Sequence, residues 1–361
     1  MQKFFLSRIF NKAGPPLHLV WFLTAKCNLG CSHCFYYPRN LENSNELSFQ
    51  EAQKVILKLP SLLSISLTGG EPFLREDLFE ITKLLSKKNV TKNIVLFSNG
   101  FNTEDILKIT KKIVSSCLNT NIFIGISIDG FEEEHDKYRN KKGAYGRAIS
   151  TLEGLKKLEN NFSNLNVGIG ITLHKGNQNI MKELRRDIYA KFKINPGITM
   201  IRGIPKSPEL KNVDANIYKQ IIDAIEYDRI HSKQKSLPHI FIGAREVLGQ
   251  RLAYENFIKY SRSYDCYAGS LMGVIYENGD VYPCEMLPDY KLGNLRDYNY
   301  DISKLWKNIL ADKARKWIRN RKCFCTYECQ YTCNTLYNIK FLPFFMKHIL
   351  RYIMAQLQIK T

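Results

Sequence analysis

Cys27, Cys31 and Cys34 stand in the run Cys27-Asn28-Leu29-Gly30-Cys31-Ser32-His33-Cys34, the most chemically specific stretch of the chain. Three thiolates at this spacing can hold three corners of a four-iron, four-sulfur cube, a cluster that ordinarily takes four cysteines. One iron is then left open, and an open coordination position is what separates a catalytic metal site from a closed structural one. The alternative is a zinc or purely structural iron site, although zinc sites usually present two Cys/His pairs. As a fourth ligand His33 would close the open position, so it reads as a neighbour of the cluster. A second motif is Gly69-Gly70-Glu71-Pro72. Its glycines let backbone approach a ligand closely, and Glu71 can accept hydrogen bonds from an ammonium; an ordinary turn before a helix is the plainer reading.

Both motifs lie where strands end. Residues 17–23 form an apolar run rich in strand formers, and the three cysteines follow it, at the end of the strand where α/β barrels place their chemistry. Ser48-Phe49-Gln50-Glu51 is a capping box that opens a helix, and residues 65–68 form a second strand leading straight into Gly69. Strands are also expected at 94–97, ending at Ser98-Asn99-Gly100, and at 122–128, ending at Ser127-Ile128-Asp129-Gly130. Further strands at 167–173 and 198–202 bring Thr172, His174 and Arg202 to the same end. Six strands alternating with helical patterns imply parallel βαβ crossovers. The count favours a partial (βα)6 barrel over a full eight-unit one.

The second half differs in character. Asn278-Gly279 sits between alternating apolar and polar residues, a strong hairpin signal, and closing the hairpin would bring Cys266 towards Cys284. Cys323, Cys325, Cys329 and Cys333 follow within eleven residues. A four-cysteine zinc knuckle at 323–333 is the alternative to iron–sulfur ligation there.

The cysteine triplet and the Gly-Gly-Glu-Pro turn together resemble the signature of the radical S-adenosylmethionine (radical SAM) enzymes. Cys266-x12-Gly279-x4-Cys284 and the quartet resemble the SPASM or shorter twitch extension of that family. The resemblance implies a [4Fe-4S] cluster on Cys27, Cys31 and Cys34 whose open iron chelates S-adenosylmethionine. One electron from the cluster then yields a 5′-deoxyadenosyl radical that abstracts hydrogen from carbon. It implies that Gly69, Gly70 and Glu71 hold the methionyl ammonium. Asn99, Ser127 and Asp129 are placed near the ribose, Thr172 and His174 near the adenine, and Arg202 at the methionyl carboxylate. It also implies at least one auxiliary cluster, drawn from Cys266, Cys284, Cys323, Cys325, Cys329 and Cys333. The quartet is tighter than the usual pattern, and six cysteines cannot fully ligate two cubes.

The chain divides on this reading into a basic and aromatic segment (1–14), a radical SAM partial barrel (15–210) and a helical connector (211–262). A SPASM/twitch-like domain (263–335) and a basic amphipathic tail (336–361) follow. With 361 residues and 44% hydrophobic composition the chain can bury a large core. Ten cysteines without a signal-peptide pattern or an 18-residue apolar run point to metal ligation in a reducing cytoplasm. Cys117, in a helical pattern, reads as core.

A formal charge of +19 favours anionic partners, among them an acidic flavodoxin or ferredoxin as electron donor. The lysines are scattered, which argues against nucleic acid. The tail from Phe341 to Met354 mixes apolar, aromatic and positive residues and could lie peripherally on an anionic membrane surface or pack on the protein itself.

Three functions follow. One is net oxidation, through the auxiliary cluster, of a sugar, aminocyclitol or nucleotide-linked metabolite. The second is cross-linking or epimerisation of a ribosomally made peptide; about 16 residues precede the first strand, too few for a leader-binding domain, so this reading expects a separate partner. The third is a non-enzymatic iron–sulfur or zinc protein.

Overall fold

The computed structural model describes residues 14–37, 45–88, 90–231, 236–262, 264–320, 323, 326 and 333–358. Strands β1 (His18–Thr24), β2 (Ser64–Gly69), β3 (Asn93–Ser98), β4 (Asn121–Ser127), β5 (Leu165–Leu173) and β6 (Gly197–Met200) pair in chain order, all parallel. Alternation along each strand explains the layering, because successive side chains point to opposite faces. Ile65 and Leu67 of β2, Ile94 and Leu96 of β3, and Ile122, Ile124 and Ile126 of β4 are buried in the main core. They share it with Val55 and Ile56 of helix Phe49–Lys58, Ile81 and Leu85 of helix Leu78–Lys87, Ile113 and Val114 of helix Thr103–Ser116, and Leu152 and Leu155 of helix Ala144–Asn161. The intervening residues Ser64, Ser66, Thr68, Val95, Phe97, Phe123 and Ser127 line the barrel interior instead.

Ser48 caps the first of these helices in both directions of a capping box with Glu51, and Glu51 also pairs with Arg296, tying the barrel to a distant segment.

The hairpin after the connector does not stand apart from the barrel. Strand β7 (Met272–Ile275) pairs parallel with β1, from His18↔Met272 to Trp21↔Ile275, and β8 (Asp280–Tyr282) and β9 (Gly293–Asn294) continue the sheet antiparallel. Among the described residues the result is one nine-stranded sheet in the order β6-β5-β4-β3-β2-β1-β7-β8-β9. Its turn rests on Gly279 at φ +86°, in the left-handed region that glycine adopts without penalty. Val20 and Phe22 of β1, Met272 and Val274 of β7, Tyr282 of β8, and Tyr36, Tyr276 and Cys333 form a second apolar cluster on the inner side. The partial barrel is thus extended at its β1 edge.

Helices Ala215–Ile230, Leu237–Lys259 and Leu342–Gln358 pack against one another. Among the described residues no helix is long and apolar enough to cross a membrane.

Candidate active site

The cysteine loop leaves β1 and is held on three sides by backbone hydrogen bonds. The Gly70 and Glu71 N–H groups donate to the Thr24 and Lys26 carbonyls, both at 2.8 Å. Ser32 N–H donates to the Tyr138 carbonyl at 2.9 Å. From the segment after β6, Lys206 N–H donates to Cys34 at 3.1 Å and Ser207 N–H to Ser32 at 2.8 Å. The glycines serve this contact. A Cβ on Gly70 would lie 2.2 Å from the Lys26 carbonyl oxygen, and one on Gly69 (φ +142°) 2.3 Å from that of Thr24. Within the chain, the close approach these glycines permit is to the backbone of Thr24 and Lys26.

Cys27, Cys31 and Cys34 line a cavity of about 990 Å³ that runs through the barrel to His18, Ser64 and Asn93 at the amino ends of β1, β2 and β3. TIM-type barrels fill this space with side chains. Here β2 contributes the hydroxyls of Ser64, Ser66 and Thr68, and the rings of Phe97 and Phe123 meet edge to face at 6.1 Å. Glycines make room for those rings: a Cβ on Gly125 would lie 2.6 Å from Phe97, and one on Gly168 2.4 Å from Phe123.

Glu71 lines the cavity although only 1% of its surface is exposed. Its oxygens accept from Asn99 N–H at 2.8 Å and Phe73 N–H at 3.2 Å. Burial outweighs these bonds and pushes its carboxyl up to about 7. Asn99 donates its amide to Asn28 Oδ1 at 2.8 Å and towards Cys27 Sγ at 3.9 Å, so it fastens the loop while lining the cavity. Ser127, Thr172 and Arg202 also line it. The Arg202 guanidinium stands 4.8 Å over the Phe35 ring and pairs with Glu285 Oε2 at 3.2 Å.

Asp129 and His174, placed by sequence near the nucleoside, are instead both buried beneath the cysteine loop, at 0% exposure. Asp129 accepts from Thr172 N–H at 2.8 Å and meets Arg139 Nη2 at 2.5 Å and His33 Nε2 at 3.4 Å. Burial alone would raise the Asp129 carboxyl, but Arg139, His33 and His135 hold it below the usual carboxylate range. His174 stacks on His33 at 5.4 Å between ring centroids and meets Tyr138 edge-on at 4.5 Å. His33 Nε2 faces Asp129, and burial pushes its imidazole down to about 3.

Sequence reasoning missed Arg139. It lies on the polar helix Glu132–Arg139, lines the cavity, and aims Nη1 at Cys31 Sγ, 3.8 Å away. The helix marks neither face by an apolar stripe, so no local signal shows that its last residue turns inward.

Cys27, Cys31 and Cys34 line one cavity from a single loop, a donor set of three thiols that suits an iron–sulfur cube. Burial pushes the Cys27 thiol up to about 12 and that of Cys34 to about 11, and raises Cys31 as well. Thiolates here therefore depend on a metal centre to displace their protons. Arg139 and Asn99 supply the donors that ligating sulfurs accept.

Cys266, Cys284 and Cys323 gather in a third apolar cluster with Ala268, Leu287 and Ile318. Cys333 faces the barrel cavity, 1% exposed. Cys325 and Cys329 lie outside the described residues. Cys117 is plain core.

Comparison with known proteins agrees with this geometry. The Radical SAM superfamily model matches residues 21–186, and the SPASM iron–sulfur cluster-binding domain model matches residues 266–334. Fe-coproporphyrin III synthase of Methanosarcina barkeri is 28% identical over 337 residues, covering 87% of this chain and 78% of its own. Pre-heme d1 synthase of Dinoroseobacter shibae is 30% identical over 324 residues, covering 82% and 76%. The subtilosin biosynthesis protein AlbA of Bacillus subtilis is 26% identical over 316 residues, covering 82% and 63%. Among solved structures, SuiB of Streptococcus suis bound to S-adenosylmethionine superposes with a TM-score of 0.62 at 16% identity, over 86% of this chain and 70% of that one.

Proposed function

The chain belongs to the radical SAM superfamily as an enzyme carrying a SPASM iron–sulfur domain, and we propose that it abstracts hydrogen from a carboxylate-bearing tetrapyrrole. When bound, the cluster and S-adenosylmethionine supply a 5′-deoxyadenosyl radical that takes hydrogen from carbon. The protein's own side chains orient the reactants and keep water out. Glu71 receives the methionyl ammonium. Asn99 and Ser127 face the ribose hydroxyls. Arg202 and Arg139, both in the cavity wall and each already paired with an acid, Glu285 and Asp129, are the guanidiniums that can meet the methionyl carboxylate.

The observation that carries the substrate reading is the hollow barrel. Its lumen combines the rings of Phe97 and Phe123 with hydroxyls of β2 and has Lys206 and Arg245 in its wall. Rings suit a planar macrocycle and cations suit its carboxylates. The volume of about 990 Å³ is at the upper end of the range of about 300–1,000 Å³ for ligand pockets. Relatives named for haem-type synthesis favour the same class. This replaces the sugar, aminocyclitol or nucleotide-linked substrate expected from sequence.

A second reading, modification of a ribosomally made peptide, rests on the similarity to AlbA. In either case the charge of +19 favours an acidic flavodoxin or ferredoxin as reductant.

Reconstituted enzyme is incubated anaerobically with S-adenosylmethionine, reductant and a coproporphyrin-type substrate deuterated on its propionate side chains. Deuterium in 5′-deoxyadenosine is expected. Deuterium transfer from a precursor peptide and none from the tetrapyrrole would overturn the reading.

A further inference from the structure

Among the described residues, helix Leu342–Gln358 is docked by one face. Phe345, His348, Tyr352 and Ala355 are buried, and Phe345 stacks on Phe241 of the connector helix at 5.0 Å. Leu342, Met346, Leu350, Ile353 and Met354 fall within about 120° of one another at 3.6 residues per turn. They are exposed, from 48% at Ile353 to 60% at Met354. A monomeric soluble protein rarely leaves such a run of aliphatic side chains open without a use. Ile339, just before the helix, is 83% exposed, and Phe241 and Ile242 of the connector helix are also exposed.

The charges around this stripe identify its partner. Between Glu328 and the end of the chain there is no acidic residue, while Lys340, Lys347, Arg351 and Lys360 are basic. Lys340 and Lys347 are exposed at the edge of the stripe. Arg351 is committed to Glu226, which locks the helix to the body and fixes which face looks out. A second copy of a chain with charge +19 is repelled from a face rimmed by cations. The stripe offers Leu, Ile and Met side chains without a hydrogen-bonding group that would orient a folded partner. A fluid anionic surface needs none, and it satisfies both the apolar and the basic components.

We infer that this face seats the enzyme on an anionic lipid bilayer, with Leu342, Met346, Leu350, Ile353 and Met354 in the headgroup–acyl boundary and Lys340 and Lys347 at the headgroups. Attachment is to the surface, since no helix among the described residues can span the bilayer. The docked side of the helix keeps its contacts, so binding requires no unfolding.

The test is cosedimentation of the full-length, cluster-loaded protein with vesicles of phosphatidylglycerol and phosphatidylcholine, and with phosphatidylcholine alone. Binding to the anionic vesicles is expected, weakening as salt rises, with little binding to the neutral ones. Met346→Glu/Leu350→Glu, which changes only exposed positions, should reduce binding at least about tenfold while leaving iron content and circular dichroism unchanged. Size-exclusion chromatography with light scattering on both forms addresses self-association. No binding by the wild type, equal binding by the double variant, or a wild-type dimer that the double variant dissolves would each overturn the inference. These outcomes are independent of the substrate.

Discussion

At the scale of single residues the site is a set of buried charges whose balance can be measured. Glu71 is poised near 7 because burial opposes its ionised form more than the Asn99 and Phe73 N–H groups support it. A raised carboxyl costs the ligand-free fold stability as pH climbs from 4.5 to about 7. An ammonium ligand reverses the preference, since it needs the carboxylate. Affinity for S-adenosylmethionine, measured calorimetrically on the unreduced enzyme, should therefore rise between about pH 5.5 and 7.5 with proton release, and Glu71→Gln should flatten the profile. A flat wild-type profile would contradict this. Asp129 is the counterpart: fully buried, it neutralises Arg139 under the cysteine loop. Asp129→Asn leaves a buried guanidinium without its anion, which should cost about 3–5 kcal/mol in urea unfolding. A loss under about 1 kcal/mol would show that the pair is not what holds this corner. The cysteines and Glu71 were legible because their spacing is local. The burial of Asp129 and His174 was not legible, because lying near a strand end does not reveal whether a side chain faces the cavity or the loop above it.

At the scale of elements, the loop after β1 and the turn after β2 act as one unit, joined by the Gly70 and Glu71 N–H groups. Gly70→Ala would place a methyl against the Lys26 carbonyl, 2.2 Å away, and force the two apart. The expected cost is about 1–3 kcal/mol, with loss of most iron from the Cys27 site and retention of iron at Cys266 and Cys284. Iron and sulfide counts on reconstituted protein, with thermal unfolding of the unloaded form, check both parts. The period-two pattern made β1–β6 readable, since Ile65, Leu67, Ile94 and Leu96 alternate with cavity-facing residues. The docking of β7 on β1 was not readable. Asn278-Gly279 announces a hairpin, but which sheet edge it joins is decided by contacts such as His18↔Met272 between residues far apart in sequence.

At the scale of the whole molecule, one sheet links the two iron–sulfur regions. β1 carries the loop of Cys27 from one end, and β7, paired to it, leads through β8 to Cys284. Arg202 on the barrel side and Glu285 beside Cys284 form an ion pair across the same junction. The hollow lumen lies between these parts, and no sequence pattern announced it; it follows from glycines at 125 and 168 yielding space to aromatic rings. The central claim is that Cys27, Cys31 and Cys34 hold a cube with one open iron. Its most direct test replaces all three by Ala, reconstitutes anaerobically, and compares iron, sulfide and 5′-deoxyadenosine with the wild type. The variant should lose about four irons and all cleavage of S-adenosylmethionine while keeping its auxiliary iron. Wild-type iron content in the triple variant would contradict the account.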